Sequence, residues 1–182
     1  MKVGKKFPEF KMKGLVKMEA DTPEEHFEEF TLEKITENGK KWAVVFFYPK
    51  DFTFVCPTEL KGFSDKHGDF QDIDTNIFSV SVDNEFVHQG WRRDNDDLKD
   101  LNYPMLSDIS RELSKELNIL DEEGVSQRAT YVLDPEGIVR FIYITDGSVG
   151  RNPDEVLRVV EALQTDELCP CNWKKGDETI KV

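Results

Sequence analysis

The chain has 182 residues, 38% of them apolar and 34% charged, with a formal net charge of −13. That length suits one domain with a sizeable core and is too short for two full ones. The negative field repels phosphate backbones and argues against nucleic acid as a partner, and the longest apolar run, Ala43–Phe47 extended by Tyr48, is far too short to span a bilayer.

The start, Met1 to Pro8, carries basic residues with no apolar core behind them, which is not the pattern of a secretory signal. A cytoplasmic location is therefore expected. In that reducing compartment three cysteines point to reactive, metal-binding or inert thiols before a structural disulfide framework. The first forty residues are highly polar; Asp21-Thr22-Pro23-Glu24-Glu25 is expected to open a turn and Asn38-Gly39 to mark a hairpin or loop. Ala43 to Tyr48 reads as a buried strand, a short apolar run bounded by charge and turn residues. From Cys56 to Phe70, the positions Leu60, Phe63 and Phe70 fit one face of a helix, and Asn76 to Val82 reads as a second strand. Strand, helix, strand in that order predicts a parallel pair joined by a right-handed crossover.

Further helices are expected at Asn84–Asp94 and Ser110–Asn118. Ala129–Leu133 and Ile138–Ile144 flank Asp134-Pro135-Glu136-Gly137, whose Pro and Gly sit at the second and fourth turn positions of an antiparallel hairpin. Asn152-Pro153-Asp154-Glu155 opens a last helix with a capping Asn, a Pro at the first helical position and acids in the first turn. The remainder, Leu168 to Val182, reads as irregular and holds two of the three cysteines. These elements describe the α/β class: a mixed central β-sheet flanked by helices, with an N-terminal extension, a domain over 1–167 and a C-terminal tail over 168–182.

Cys56 stands where the apolar strand has ended and a helix begins. Free backbone N–H groups and a partial positive charge at such a point favour thiolate over thiol. Thr53, three residues earlier, is placed either to cap the helix or to bond the sulfur. Pro57 fits a first turn, where a missing N–H costs little. Glu59 occupies the position that a thioredoxin-type Cys-x-x-Cys pair would need for its second cysteine. Local sequence leaves a second reading of Cys56 open, that of a buried small hydrophobe.

Ionisation alone does not make a fast thiol enzyme. A thiol of pKa ~8.5 is about 3% ionised at pH 7, so a lower pKa gains roughly thirtyfold at most. One well-placed donor to the transition state is typically worth about a hundred- to a thousandfold. A buried Arg, permanently charged and forked, is the natural donor. Arg128 directly precedes the apolar strand and is the candidate, with a solvent-facing strand-end Arg as the competing reading. Cys169-Pro170-Cys171 offers a resolving thiol, a small dithiol or part of a metal site. Zinc is disfavoured because His26, His67 and His88 lack the short spacing of ligand pairs. His67 fits the solvated side of a helix, and His88 with Trp91 reads as packing.

Pro49-x-x-x-Thr53-x-x-Cys56 resembles the active-site signature of the peroxiredoxins. The surrounding Phe47-Tyr48-Pro49-Lys50-Asp51-Phe52-Thr53-Phe54-Val55-Cys56-Pro57-Thr58-Glu59 is similar to their typical two-cysteine class, in its alkyl hydroperoxide reductase branch. The likeness continues through Val87-His88-Gln89-Gly90-Trp91, Arg128-Ala129-Thr130, Asp134-Pro135-Glu136-Gly137 and Cys169-Pro170-Cys171-Asn172-Trp173, and so covers nearly the whole chain.

That resemblance implies a thioredoxin-like fold and a thiol-specific peroxidase without metal or cofactor. The Cys56 thiolate attacks a hydroperoxide, releasing water or an alcohol and leaving a sulfenic acid. Thr53 and Arg128 hold the thiolate and the peroxide oxygens, Pro49 shields them from water, and Glu59 and Trp91 support them. Cys169 of the partner subunit then condenses with the sulfenic acid. A disulfide needs Cα atoms within about 7 Å, so the helix start and the tail must both rearrange.

The resemblance also implies antiparallel homodimers, often in rings of five. A dithiol reductant is implied too: thioredoxin-like, a flavoprotein disulfide reductase or an alkylhydroperoxidase D-type protein. A holdase chaperone or peroxide-signalling scaffold is the alternative function. Two departures stand out. Relatives sensitive to overoxidation carry a Gly-Gly-Leu-Gly insertion and a C-terminal helix ending near Tyr-Phe, where this chain has Asp121-Glu122-Glu123-Gly124 and a tail ending Lys181-Val182. Resistance to overoxidation is therefore expected. The second departure is Cys171, which is placed either as a relay for the reductant or as a spare thiol.

Overall fold

The computed structural model describes residues 1–181; Val182, the last residue of the expected tail, lies outside them. In chain order the elements are β1 (Lys11–Leu15), β2 (Phe27–Thr31), α1 (Leu32–Ile35), β3 (Trp42–Phe47), α2 (Cys56–Asp65), α3 (His67–Gln71), β4 (Thr75–Ser81), α4 (Glu85–Asp94), β5 (Met105–Ser107), α5 (Glu112–Glu116), β6 (Arg128–Leu133), β7 (Val139–Thr145) and α6 (Pro153–Gln164). The strands form one mixed sheet in the order β2-β1-β5-β4-β3-β6-β7. The β3–β4 and β4–β5 pairs are parallel and the rest antiparallel.

Successive side chains of a strand point to opposite faces, and β3 sorts the core into two layers accordingly. Ala43, Val45 and Phe47 pack with Leu32, Ile35, Leu113 and Leu117, under α1 and α5. Val44, Phe46 and Tyr48 pack with Cys56, Leu60, Phe63, Trp91, Val156 and Val160, under α2, α4 and α6. The expected strands at the centre, the β6–β7 hairpin, and the capped start of the last helix are all present. Asn152 accepts from the Asp154 N–H and Pro153 opens α6.

Three expectations need correction. The polar first forty residues supply β1 and β2. On β1 the charged Lys11 and Lys13 face out while Met12 and Leu15 are buried, so one solvated face hides the strand in a polar sequence. The helix expected over Cys56–Phe70 is two helices. Lys66 departs from helical geometry at φ −98°, ψ 1°, its N–H turning to the Ser64 carbonyl, and Phe70 rejoins the core from α3. The helix expected over Ser110–Asn118 shortens to α5, because Arg111 is left-handed at φ 61° and the buried Asp108 carboxylate accepts the Leu113 and Ser114 N–H groups. β5, three residues long, had no sequence signal.

After α6 the chain folds back on itself through a Leu168–Ile180 bridge, with Trp173 buried beneath. Among the described residues no helix is long and apolar enough to cross a membrane.

Candidate active site

β3 ends at Phe47, and residues 48–55 lead directly into α2, whose first residue is Cys56 and second Pro57. Val55 holds the N-cap position with no side-chain cap, leaving the helix's first N–H groups free of such a partner. Thr53 therefore does not cap α2. It lies two residues before the cap, and its hydroxyl donates to the Lys50 carbonyl at 3.0 Å, which tightens the loop.

Cys56 is wholly buried, and its Sγ lies 3.3 Å from Arg128 Nη1. The sheet register makes that contact. β6 runs antiparallel to β3 with Thr130 opposite Phe46, so Arg128, two residues earlier, lies level with the chain leaving β3. Arg128 is 4% exposed, which overturns the solvent-facing reading of this strand end. Its Nε donates to the Gly147 carbonyl at 2.8 Å and its Nη1 to Glu59 Oε2 at 2.5 Å.

Glu59, one turn into α2, binds a second cation that the sequence reading did not single out. Arg151 reaches Glu59 through Nε at 2.7 Å, Nη2 at 3.0 Å and its own backbone N–H at 2.9 Å. Its Nη1 also donates to the Phe47 and Ala129 carbonyls, and its guanidinium lies 5.1 Å from the Phe46 ring centroid. An Arg in the short loop before Asn152-Pro153 carries no local pattern that separates it from a solvated one.

Burial pushes the Glu59 carboxyl up, but the hydrogen bonds and charge of Arg151, joined by Arg128, outweigh it and hold the group below its usual range. For Arg128, burial acts to lower the guanidinium; the bond to Cys56 and the charge of Glu59 reverse this and raise it. Two guanidinium charges thus face one carboxylate, and the uncompensated positive charge sits beside the sulfur. Such a site offers a fixed cationic donor to a polarised oxygen bound next to Sγ.

Pro49 is half-buried at the exit from β3. Trp91 is buried, its ring 6.1 Å from that of Tyr48 and 6.0 Å from that of Phe52, so it supports the loop ahead of Cys56. Cys169 and Cys171 lie elsewhere. Cys169 is half-buried at the end of α6, its Sγ 3.4 Å from Thr165 Oγ1 and 3.6 Å from the Ala162 carbonyl. Cys171 is exposed, and all three cysteines are free. The two tail thiols line an open cavity of about 1240 Å³ beside α6.

A family model described as the AhpC/TSA family matches residues 3–142. The chain belongs to the AhpC/TSA family. This AhpC/TSA chain is 49% identical over 185 residues to alkyl hydroperoxide reductase C of Mycolicibacterium smegmatis, covering 99% of this chain and 93% of that protein. It is 42% identical to the putative peroxiredoxin YkuU of Bacillus subtilis, over 98% of this chain and 97% of that one. Among solved structures it is similar to Mycobacterium bovis AhpC, with a TM-score of 0.86 and 46% identity over 96% of this chain and 98% of that one. A reduced 2-Cys peroxiredoxin of Plasmodium vivax superposes with a TM-score of 0.89 at 33% identity, covering 98% of this chain and 92% of that one. The fold is the thioredoxin-like α/β arrangement expected.

Proposed function

We propose that this chain is a thiol peroxidase that reduces hydrogen peroxide and organic hydroperoxides at Cys56. The 3.3 Å contact between Cys56 Sγ and Arg128 Nη1, inside a buried site with an excess positive charge, carries the reading. The Cys56 thiolate attacks the terminal peroxide oxygen; an S–O bond forms, the O–O bond breaks, and the leaving oxygen takes a proton to depart as water or an alcohol. Sulfur is oxidised to the sulfenic acid and the peroxide is reduced. Arg128 offers its charge to the sulfur and to the oxygens, Thr53 offers a hydroxyl beside them, and Pro49 keeps water out. Glu59 and Arg151 fix Arg128 in place.

In the second step the Cys169 thiol of the partner subunit attacks the sulfenic acid sulfur, releasing water and forming an intersubunit disulfide. A fully buried Cys56 must leave its pocket for this, and the tail that carries Cys169 must leave α6. An external dithiol then reduces the disulfide. The finer parts of this reading are an antiparallel homodimer, a ring of five such dimers, a cytoplasmic setting, and a reductant that is thioredoxin-like, a flavoprotein disulfide reductase or an alkylhydroperoxidase D-type protein. The relatives' names, reductase and peroxiredoxin, favour catalysis over the holdase or scaffold alternative.

Cys56→Ser is expected to abolish peroxide reduction, and Cys169→Ser to give one turnover with no intersubunit disulfide. Non-reducing mass spectrometry of peroxide-treated protein reads the pairing. Full steady-state activity in either variant, with a reductant that requires the disulfide, would overturn the assignment.

A further inference from the structure

A second buried polar group lies under the loop that delivers Cys56, and the peroxide chemistry leaves it unused. The Tyr48 hydroxyl donates to Asp51 Oδ1 at 2.6 Å, and His88 Nδ1 lies 2.7 Å from Asp51 Oδ2. His88 Nε2 is 3.2 Å from the Leu106 carbonyl. The side chains of His88 and Asp51 are both fully inaccessible. Nδ1 faces a carboxylate oxygen, with the Tyr48 hydroxyl a further 3.5 Å contact, and Nε2 faces a carbonyl, so the ring is held from both ends by buried acceptors.

The place of this pair in the chain gives it a role. Lys50 and Phe52, on either side of Asp51, are exposed, and Phe52 is held at φ 56°. Asp51 alone turns inward. Among the described residues, the hydrogen bonds tying residues 50–54 to the rest of the chain are those of Asp51: to Tyr48 on the strand side, to His88 on α4, and from its N–H to Asp83 Oδ2 at 2.8 Å. Its other links are the packing of Phe52 on the Trp91 ring, 6.0 Å between centroids, and an exposed Lys50–Glu123 ion pair at 3.7 Å. A segment whose hydrogen bonds to the body converge on one residue opens far more often once those bonds are broken.

We propose that Asp51 and His88 form a clasp that sets how often residues 49–56 leave their folded place, and hence how fast oxidised Cys56 reaches Cys169 of the partner subunit. The inference rests on the reading of Cys56 as the peroxide-reducing thiol. It makes the clasp the arbiter between two fates of the sulfenic acid. In the open segment, sulfenic acid and the Cys169 thiol give disulfide and water. In the closed segment, beside Arg128, a second hydroperoxide oxidises the sulfenic acid to sulfinic acid and is itself reduced to water or an alcohol. A tight clasp favours the first oxidation and exposes the sulfenic acid to the second. A loose clasp favours the disulfide. Asp51 and His88 are positioning residues; neither touches the peroxide in this scheme.

The test compares the wild type with His88→Gln, Asp51→Asn and Tyr48→Phe, the last removing the bond to Asp51 Oδ1 and the long 3.5 Å contact to His88 while leaving the Asp51–His88 pair in place. Stopped-flow fluorescence separates sulfenic acid formation from disulfide formation, and mass spectrometry counts sulfinic acid per turnover. His88→Gln is expected to form the disulfide about tenfold faster, a change of about 1.4 kcal/mol, and to need correspondingly more peroxide for overoxidation. Its first oxidation step is expected to slow by a few-fold only. Hydrogen exchange is expected to rise at residues 50–56 and stay low in β6. Unchanged exchange and an unchanged partition between disulfide and sulfinic acid in folded variants would overturn the clasp. So would a general loss of protection in β3 and β6 with the partition unmoved, the mark of a purely structural pair. Should His88→Gln not fold, Tyr48→Phe reads the same partition with a smaller shift. Absence of peroxide consumption by the wild type would sink the proposed function instead, and exchange at 50–56 would still decide the clasp.

Discussion

The Glu59 carboxylate lies 2.5 Å from Arg128 Nη1, the same nitrogen that stands 3.3 Å from Cys56 Sγ. One guanidinium nitrogen thus serves the sulfur and its own anchor together. Arg151 holds the far side of Glu59 through both carboxylate oxygens, so the donor beside Cys56 is fixed by a chain of buried charges. Preorganisation of this kind spares the reaction the cost of orienting a charge when the transition state forms.

Arg128→Ala is expected to lower the second-order rate constant for Cys56 oxidation by about a hundred- to a thousandfold. Arg128→Lys should recover little of that loss. An ammonium lacks the planar fork that reaches the Gly147 carbonyl with Nε while Nη1 meets Glu59 and Cys56. Stopped-flow measurement with hydrogen peroxide checks both, and a lysine variant within a few-fold of wild type would remove the fork from the account.

Glu59→Gln leaves two buried guanidinium groups without their carboxylate, and breaking a buried pair in this way costs about 3–5 kcal/mol. The pH dependence follows from the direction of the Glu59 shift. Its folded-state value lies below the ordinary one, so its contribution is complete above the unfolded-state pKa of about 4.3 and is lost as pH falls through the folded value. Urea unfolding should therefore show a large gap between wild type and variant at pH 7 that narrows below about pH 4. A gap that stays constant on acidification would mean that Glu59 acts through packing and not charge.

The parts of this site differ in how far local sequence declares them. β3, β4 and the β6–β7 hairpin are buried runs closed by turn residues, and α4 and α6 begin at capping asparagines, so their physics is local. Cys56, Thr53 and Pro49 share one segment and could be read together. β1 and β2 are largely polar and lie toward one side of the sheet; β1 is made a strand by pairing with β2 and with a distant β5, and β2 by pairing with β1. Arg128 became decisive through the register of β6 against β3, and Arg151 lies 92 residues from the carboxylate it binds. His88, read with Trp91 as packing from sequence, likewise meets Asp51 only because α4 crosses the loop.

Arg151→Met tests whether the second cation is part of the same unit. Its loss strips Glu59 of its bidentate partner and leaves the buried Phe47 and Ala129 carbonyls short of a donor. Destabilisation of about 3–5 kcal/mol is expected, from one broken buried pair. The double variant Glu59→Gln with Arg151→Met should cost less than the sum of the singles, because the two act on one network. Additive losses in equilibrium unfolding would show the two residues to be independent.

Resistance to overoxidation is the expected outcome where no helix of the described tail covers the start of α2. Asp121–Gly124 forms a tight turn closed by the Asp121 side chain on the Glu123 and Val125 N–H groups. After α6, the described tail contributes one bridge, Leu168–Ile180, and no helix to lie over the α2 start. Cys169 is kept by two sulfur contacts at 3.4 and 3.6 Å, which are weak bonds. The tail is tied to α6 by Arg158 Nη1 donating to the Trp173 carbonyl at 2.9 Å and by a Lys175–Glu161 ion pair at 3.2 Å; once those ties open, a released Cys169 competes with a second peroxide for the sulfenic acid. During turnover with reductant and modest peroxide, sulfinic acid at Cys56 should stay rare, as mass spectrometry of the Cys56 peptide will read. Its accumulation within a few turnovers would mean that release of the tail, and not attack by peroxide, is the slow event.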